Sequence, residues 1–138
     1  MSNKKLQERL ISIAMDLKPL KNEGSHFLVA FAIVRGRLRS VGLNSYSKTD
    51  TVNKDYINRD GSKTSYRHAE SNLIKKLRKL YLPNSNVNIY IVRITQGNKV
   101  RLAKPCINCA YLLGQFNPKN IYYTNDVGRF EKLYGSES

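Results

Sequence analysis

The chain has 138 residues, 41% hydrophobic and 25% charged, enough for one core, so a single domain over residues 1–138 is expected. No stretch approaches the roughly 20 consecutive apolar residues that span a bilayer. The opening MSNKKLQERL is also too polar for a signal-peptide core, so a cytoplasmic protein with no membrane contact is expected. Lysine and arginine outnumber aspartate and glutamate by 24 to 10, a net charge of +14. That is more than handling a free metabolite requires and is the footprint of a nucleic-acid binder, although solubility or a lysine-rich genome would also produce it.

Taken in chain order, Leu6, Leu10, Ile13, Ala14 and Leu17 recur at helical spacing over residues 3–18, and Pro19 stops that helix. Residues 26–35, HFLVAFAIVR, are a near-continuous apolar run that predicts a buried strand. Gly36 marks a tight turn, and residues 37–45 read as its antiparallel partner. Residues 46–66 are polar and without useful periodicity, which predicts a long loop of a length that is usually either functional or disordered.

A helix is expected from about Arg67 to Tyr81, with Ala69, Leu73, Leu77 and Leu80 buried. Lys75, Lys76, Arg78 and Lys79 would form its solvated face. Residues 87–95, VNIYIVRIT, predict a second buried strand, followed by a turn at Gln96-Gly97-Asn98. A helix beginning near Cys106 carries Ala110, Leu112, Leu113 and Phe116 and ends at Asn117-Pro118. Residues 120–124 form a fourth strand, on which Tyr122 and Tyr123 must point to opposite faces. Asn125-Asp126-Val127-Gly128 is a hairpin signal, after which RFEKLY reads as a short antiparallel fifth strand, with a short helix as the alternative. Strand–helix–strand stretches require a sheet with parallel crossovers and helices packed on it, an α/β architecture.

The chemistry is concentrated in two segments, His68-Ala69-Glu70 and Pro105-Cys106-Ile107-Asn108-Cys109. One imidazole and two thiolates make three zinc ligands and leave a fourth tetrahedral position for water, the arrangement of a catalytic site. The two cysteines are three residues apart, so one helical turn sets them on one face. A helix N-terminus favours their thiolate form, and Pro105 suits a first turn. Taken alone, Glu70 is an ordinary first-turn acid, His68 a core histidine and the cysteines a redox pair or buried thiols. A thioredoxin-like site would want a tryptophan beside its CxxC, and this chain has none. No other cysteine occurs, which excludes a four-cysteine zinc ribbon.

H-x-E followed by P-C-x-x-C resembles the cytidine deaminase superfamily of zinc-dependent nucleobase deaminases. The resemblance implies a three-layer fold, a five-stranded mixed sheet flanked by helices with a short C-terminal hairpin strand, in which both motif helices lie side by side. It implies that His68, Cys106 and Cys109 hold Zn2+. It further implies that Glu70 carries a proton from the water at the metal to the base and then to departing ammonia. Ala69 would contact the pyrimidine carbonyl through its backbone, the backbone at Lys104 and Pro105 would receive the exocyclic amine, and Asn44 would contact sugar or base. Asn44 also fits as a polar strand-end residue making a turn.

The 34 residues from 71 to 104 between the motifs exceed the usual gap of the AID/APOBEC branch, whose long final helix is also missing. The tRNA adenosine deaminase branch carries Glu where Lys104 stands, which argues against an adenosine substrate. The hairpin-like C-terminus looks more like free cytidine deaminases and bacterial toxin deaminases.

Lys48, Lys54, Arg59, Lys63 and Arg67, interleaved with Tyr46, Tyr56 and Tyr66, supply cations and stacking platforms before the motif. Tyr66 and Arg67 abut His68 and are the best placed for substrate. The leading expectation is therefore cytosine deamination in single-stranded DNA, or RNA, by a protein able to act as a monomer. The alternative is a free-nucleotide deaminase of deoxycytidylate or cytidine type, and the third possibility is a nucleic-acid binder with structural zinc.

Overall fold

The structure is a computed structural model that describes residues 3–18, 26–43, 45–49, 56, 57, 63, 64, 66, 67, 69–80, 86–95, 97–105 and 107–135. The first helix, α1 (Asn3–Leu17), buries Leu6, Leu10 and Ala14 of the expected stripe and half-buries Ile13, whereas Leu17, in the last turn, is exposed. β1 (His26–Val34) and β2 (Arg37–Leu43) form an antiparallel hairpin. Its two loop residues, Arg35 and Gly36, both have positive φ, 52° and 78°. That is the mirror-image turn whose twist suits a two-residue hairpin, and glycine adopts it without a Cβ penalty.

The segment expected to be one long loop contains short ribbons instead. β3 (Ser45–Thr49) pairs with β6 (Tyr66–Arg67), and β4 (Tyr56–Ile57) pairs with β5 (Lys63–Thr64). Two-residue strands are too short to leave an alternation in the sequence, so backbone pairing here has no side-chain signal.

α2 (Ala69–Leu80) leads to β7 (Val87–Thr95). β8 (Val100–Arg101) adds to β7, α3 (Ile107–Phe116) crosses over to β9 (Asn120–Thr124), and β10 (Phe130–Gly135) closes the chain. The main sheet runs β10-β9-β7-β1-β2, with β8 beside β7. β7 and β9 are parallel, as a helical crossover demands, and the other pairs are antiparallel. The final hairpin expected from Asn125–Gly128 is present: the Asn125 side chain accepts from the backbone N–H of Val127 (3.0 Å) and Arg129 (2.9 Å). The last element is the antiparallel strand, not the alternative helix.

Strand alternation divides the core into two layers. Phe27, Val29, Phe31 and Ile33 of β1 pack with Tyr90, Val92 and Ile94 of β7 against α1. Ala30 and Ala32 pack with Ile89 and Ile91 on the other face, beneath Leu73, Ile74 and Leu77 of α2 and Leu113 of α3. This is the expected three-layer cytidine deaminase-like α/β arrangement, with α1 on one side and both motif helices on the other. No helix among the described residues is long and apolar enough to cross a membrane.

Candidate active site

α2 runs antiparallel to β7, so its first turn lies at the carboxyl end of the parallel strands, where open α/β sheets hold their ligands. α3 packs against α2 and starts at the same end. By sequence, His68 immediately precedes α2 and Cys106 immediately precedes α3. His68, Cys106 and Asn44 lie outside the described residues, as do the side chains of Cys109, Tyr66 and Arg67. Among the described residues no group of three histidine, cysteine or acidic side chains is gathered as a metal site.

Glu70 sits in the first turn of α2 and is only 4% exposed. Its Oε1 is buried and accepts no hydrogen bond among the described residues, while the residue does interact elsewhere. Ala69 before it is fully buried, Pro105 is buried and Lys104 is exposed. One imidazole, two thiolates and a nearby carboxylic acid that is no ligand are a donor set that fits a catalytic zinc ion.

Three contacts that sequence spacing does not reveal fix α2. Gly42 of β2 lies under its first turn: a Cβ there would overlap the Ala69 carbonyl oxygen and come within 2.6 Å of the Leu73 nitrogen. A glycine inside a strand is the available signal of such a close backbone approach. Asn72 Nδ2 donates to the Leu43 carbonyl. One turn on, Lys76 Nζ donates to the Val41 carbonyl at 2.6 Å, so this lysine of the expected solvated face is tied to the sheet.

The approach to α3 is held by the end of β9. Thr124 is fully buried and donates its hydroxyl to the Arg101 carbonyl at 2.8 Å, while its own carbonyl accepts from the Ala103 N–H at 2.8 Å. Asp126 Oδ1 accepts from the Leu102 N–H at 3.1 Å, and its carbonyl accepts from Arg101 Nη1 at 3.1 Å. Residues 101–103, just ahead of Pro105, are thereby stitched to the β9–β10 turn. Tyr122 and Tyr123 do face opposite ways: Tyr122 packs in the α1 layer and Tyr123 in the α2–α3 layer. Only Tyr123 shares the helix face that carries Glu70.

The family described as "Cytidine and deoxycytidylate deaminase zinc-binding region" matches residues 4–125. The chain belongs to this family. Its fold is similar to that of the dCMP deaminase from the cyanophage S-TIM5 in complex with dCMP and dUMP, with a TM-score of 0.58 and 19% identity over 91% of this chain and 85% of that one. It is also similar to the cytidine deaminase from Mycobacterium leprae, with a TM-score of 0.54 and 16% identity over 96% of this chain and 94% of that one. A mutant cytidine deaminase from Mycobacterium tuberculosis gives a TM-score of 0.55 at 16% identity, covering 96% of this chain and 92% of that one. No curated protein sequence matches the chain.

Proposed function

We infer that this chain, acting as one deaminase domain, hydrolyses the exocyclic amine of a cytosine carried by a free nucleoside or nucleotide of cytidine or deoxycytidylate type. The observation that carries the reading is the convergence of the two motif helices, α2 and α3, at the carboxyl end of β7 and β9. The family's description names cytidine and deoxycytidylate, which supports a mononucleotide or nucleoside over a polymer. A second reading, the leading expectation from sequence, is the same hydrolysis within single-stranded DNA or RNA; it rests on the net charge of +14 and on the cations and tyrosines interleaved ahead of His68.

His68, Cys106 and Cys109 are the residues that would hold zinc. When bound, the ion supplies a water whose pKa is brought to about 7. Water oxygen bonds to C4 of the pyrimidine, the C4–N4 bond breaks, and ammonia leaves uracil behind. Glu70 moves one proton of the water to the ring nitrogen, where it stays, and the second, from the new C4 hydroxyl, to the departing amine, a general acid–base role. Its burial keeps that proton from leaking to solvent. The backbone at Ala69 holds the pyrimidine carbonyl, that at Lys104 and Pro105 receives the amine, and Asn44, Tyr66 and Arg67 hold sugar and phosphate.

The test supplies cytidine, deoxycytidylate and a cytosine-containing oligonucleotide in parallel and measures uracil. Turnover of the small substrates is expected; turnover of the oligonucleotide alone would overturn the first reading in favour of the second. Glu70→Gln should lower turnover by at least about a hundredfold while elemental analysis finds zinc retained. Activity within a few-fold of the parent would remove Glu70 from its role.

A further inference from the structure

At the other end of β2, far from α2's first turn, Arg35, Arg37, Arg39, Val34 and Asn86 line a recess of about 500 Å³. A bulge builds it. Ala32 pairs with Ser40 and Ile33 with Leu38, so Arg39 has no partner opposite it. Val41 and Leu43 face the α1 layer, and unbroken alternation would send Arg37 and Arg39 to that side too. The extra residue reverses the parity for the residues before it, Arg37 included, while Arg39 is itself the unpaired residue of the bulge. Arg37 pairs with Val34, which packs in the α2–α3 layer. A bulge re-aims side chains in this way and ordinarily does so for a purpose.

The side chains of the three arginines make no hydrogen bond or ion pair among the described residues. α2 extends the same cationic face. Asn72 reaches residue 43 and Lys76 reaches residue 41, so helix and strand run antiparallel in step, about 6 Å of helix for about 6–7 Å of strand. The next turn of the helix carries Arg78 and Lys79, both exposed. From residue 43 to the recess is about 20 Å.

We propose that this face, from Lys76 along β2 to the recess of Arg35, Arg37 and Arg39, binds the phosphate backbone of single-stranded nucleic acid. Guanidinium forks match phosphate oxygens bidentately. Arg37 and Arg39 stand two residues apart on one strand, a spacing comparable to that of successive phosphates in an extended polynucleotide. The recess has the volume of a pocket rather than of a single-ion site. Val34 offers an apolar floor and the Asn86 amide a donor and an acceptor for a base edge. A flexible single strand can bend into such a hollow, whereas a stiff duplex cannot. The surface acts independently of the deaminase pocket and does not rest on its substrate.

The test measures fluorescence anisotropy of a labelled thymine-only oligonucleotide, which offers the pocket no cytosine, across a salt series. The variant Arg35→Asn/Arg37→Thr/Arg39→Thr keeps a residue tolerant of positive φ at the turn and β-branched residues in the strand. It should bind at least tenfold more weakly, and its log–log salt slope should fall by about 2, the loss of three phosphate contacts on a single strand. Melting temperature and deoxycytidylate turnover should be unchanged. Lys4→Gln/Arg9→Gln/Arg129→Gln removes the same charge from exposed positions elsewhere and should change affinity less than threefold. Equal losses in the two variants, or undiminished binding by the arginine variant, would overturn the proposal. So would competition by free thymidine triphosphate as effective as by the oligonucleotide at equal phosphate, which would make the recess a mononucleotide site.

Discussion

The two faces of the central sheet differ where β1 and β2 carry them, although Ile89, Ile91 and Ile121 give bulk to the second face as well. Against α1 the strands present large side chains: Phe27, Phe31, Ile33 and Tyr90, with Tyr122 stacked on Tyr90 at 4.7 Å and Phe130 edge-on to it at 5.3 Å. Against α2 they present Ala30, Ala32 and Gly42, and the helix answers with Ala69. Bulk on the first face supplies burial energy, since each aromatic removes a large apolar area from water. Smallness on the second lets a helix axis approach the sheet closely, so that backbone and short side chains set its position. The helix that carries Glu70 lies on the side where placement is set by contact between main chains.

This contrast can be broken most severely at Gly42. Gly42→Val should cost about 3 kcal/mol or more, because the added carbons meet main-chain atoms of α2 that have nowhere to move. It should also depress turnover beyond the loss of folded protein; a melting curve together with kcat/KM at a permissive temperature checks both. A substitution that left the two unchanged would mean that α2 floats on the sheet.

The α3 side should respond more mildly. Thr124→Val keeps the shape but strands the Arg101 carbonyl, an expected loss of about 1–3 kcal/mol in denaturant titration. A lower kcat/KM should accompany it, since residues 101–103 lead directly to the cysteine motif.

The smallest effect belongs to the aromatic face and appears only in alkali. Burial, and secondarily Tyr122, push the Tyr90 phenol from 10.0 up to about 12. The unfolded chain therefore releases this proton first, and the stability present below pH 10 is lost as pH rises toward 12. The loss attributable to Tyr90 should be of order 1–2 kcal/mol. Comparing the pH dependence of unfolding with that of Tyr90→Phe isolates it: the variant should be flatter over this interval, and identical slopes would acquit Tyr90.

Much of this architecture can be read from residue order because its elements carry strong periodic signals. The apolar runs of β1 and β7, the helical stripes of α1 and α2, and the Asn-Asp-Val-Gly turn before β10 need no tertiary information. The motif likewise singles out Glu70 as the proposed proton carrier, since it joins a histidine and a CxxC across 34 intervening residues. What stays hidden depends on pairs of elements. Asn72 meets Leu43 and Thr124 meets Arg101 across 29 and 23 residues, with no spacing rule to announce them. The bulge at Arg39 is equally silent, because RLRSVGL alternates acceptably in either register. The ribbons of 45–67 escape because a two-residue strand has no period. His68, Cys106 and Asn44 remain expectations from sequence, since they fall outside the described residues.

β2 is also the outermost strand of its sheet, with a row of main-chain groups turned away from β1. Such a rim is a template on which a second molecule could add its own strand and seed fibrils. The irregularity at Arg39 spoils the flatness that stacking needs, and like charges on Arg37 and Arg39 would repel their own counterparts on an approaching copy. The same local distortion therefore serves as a guard against edge-to-edge pairing, and smoothing it away would leave a rim prone to assemble with its own copies.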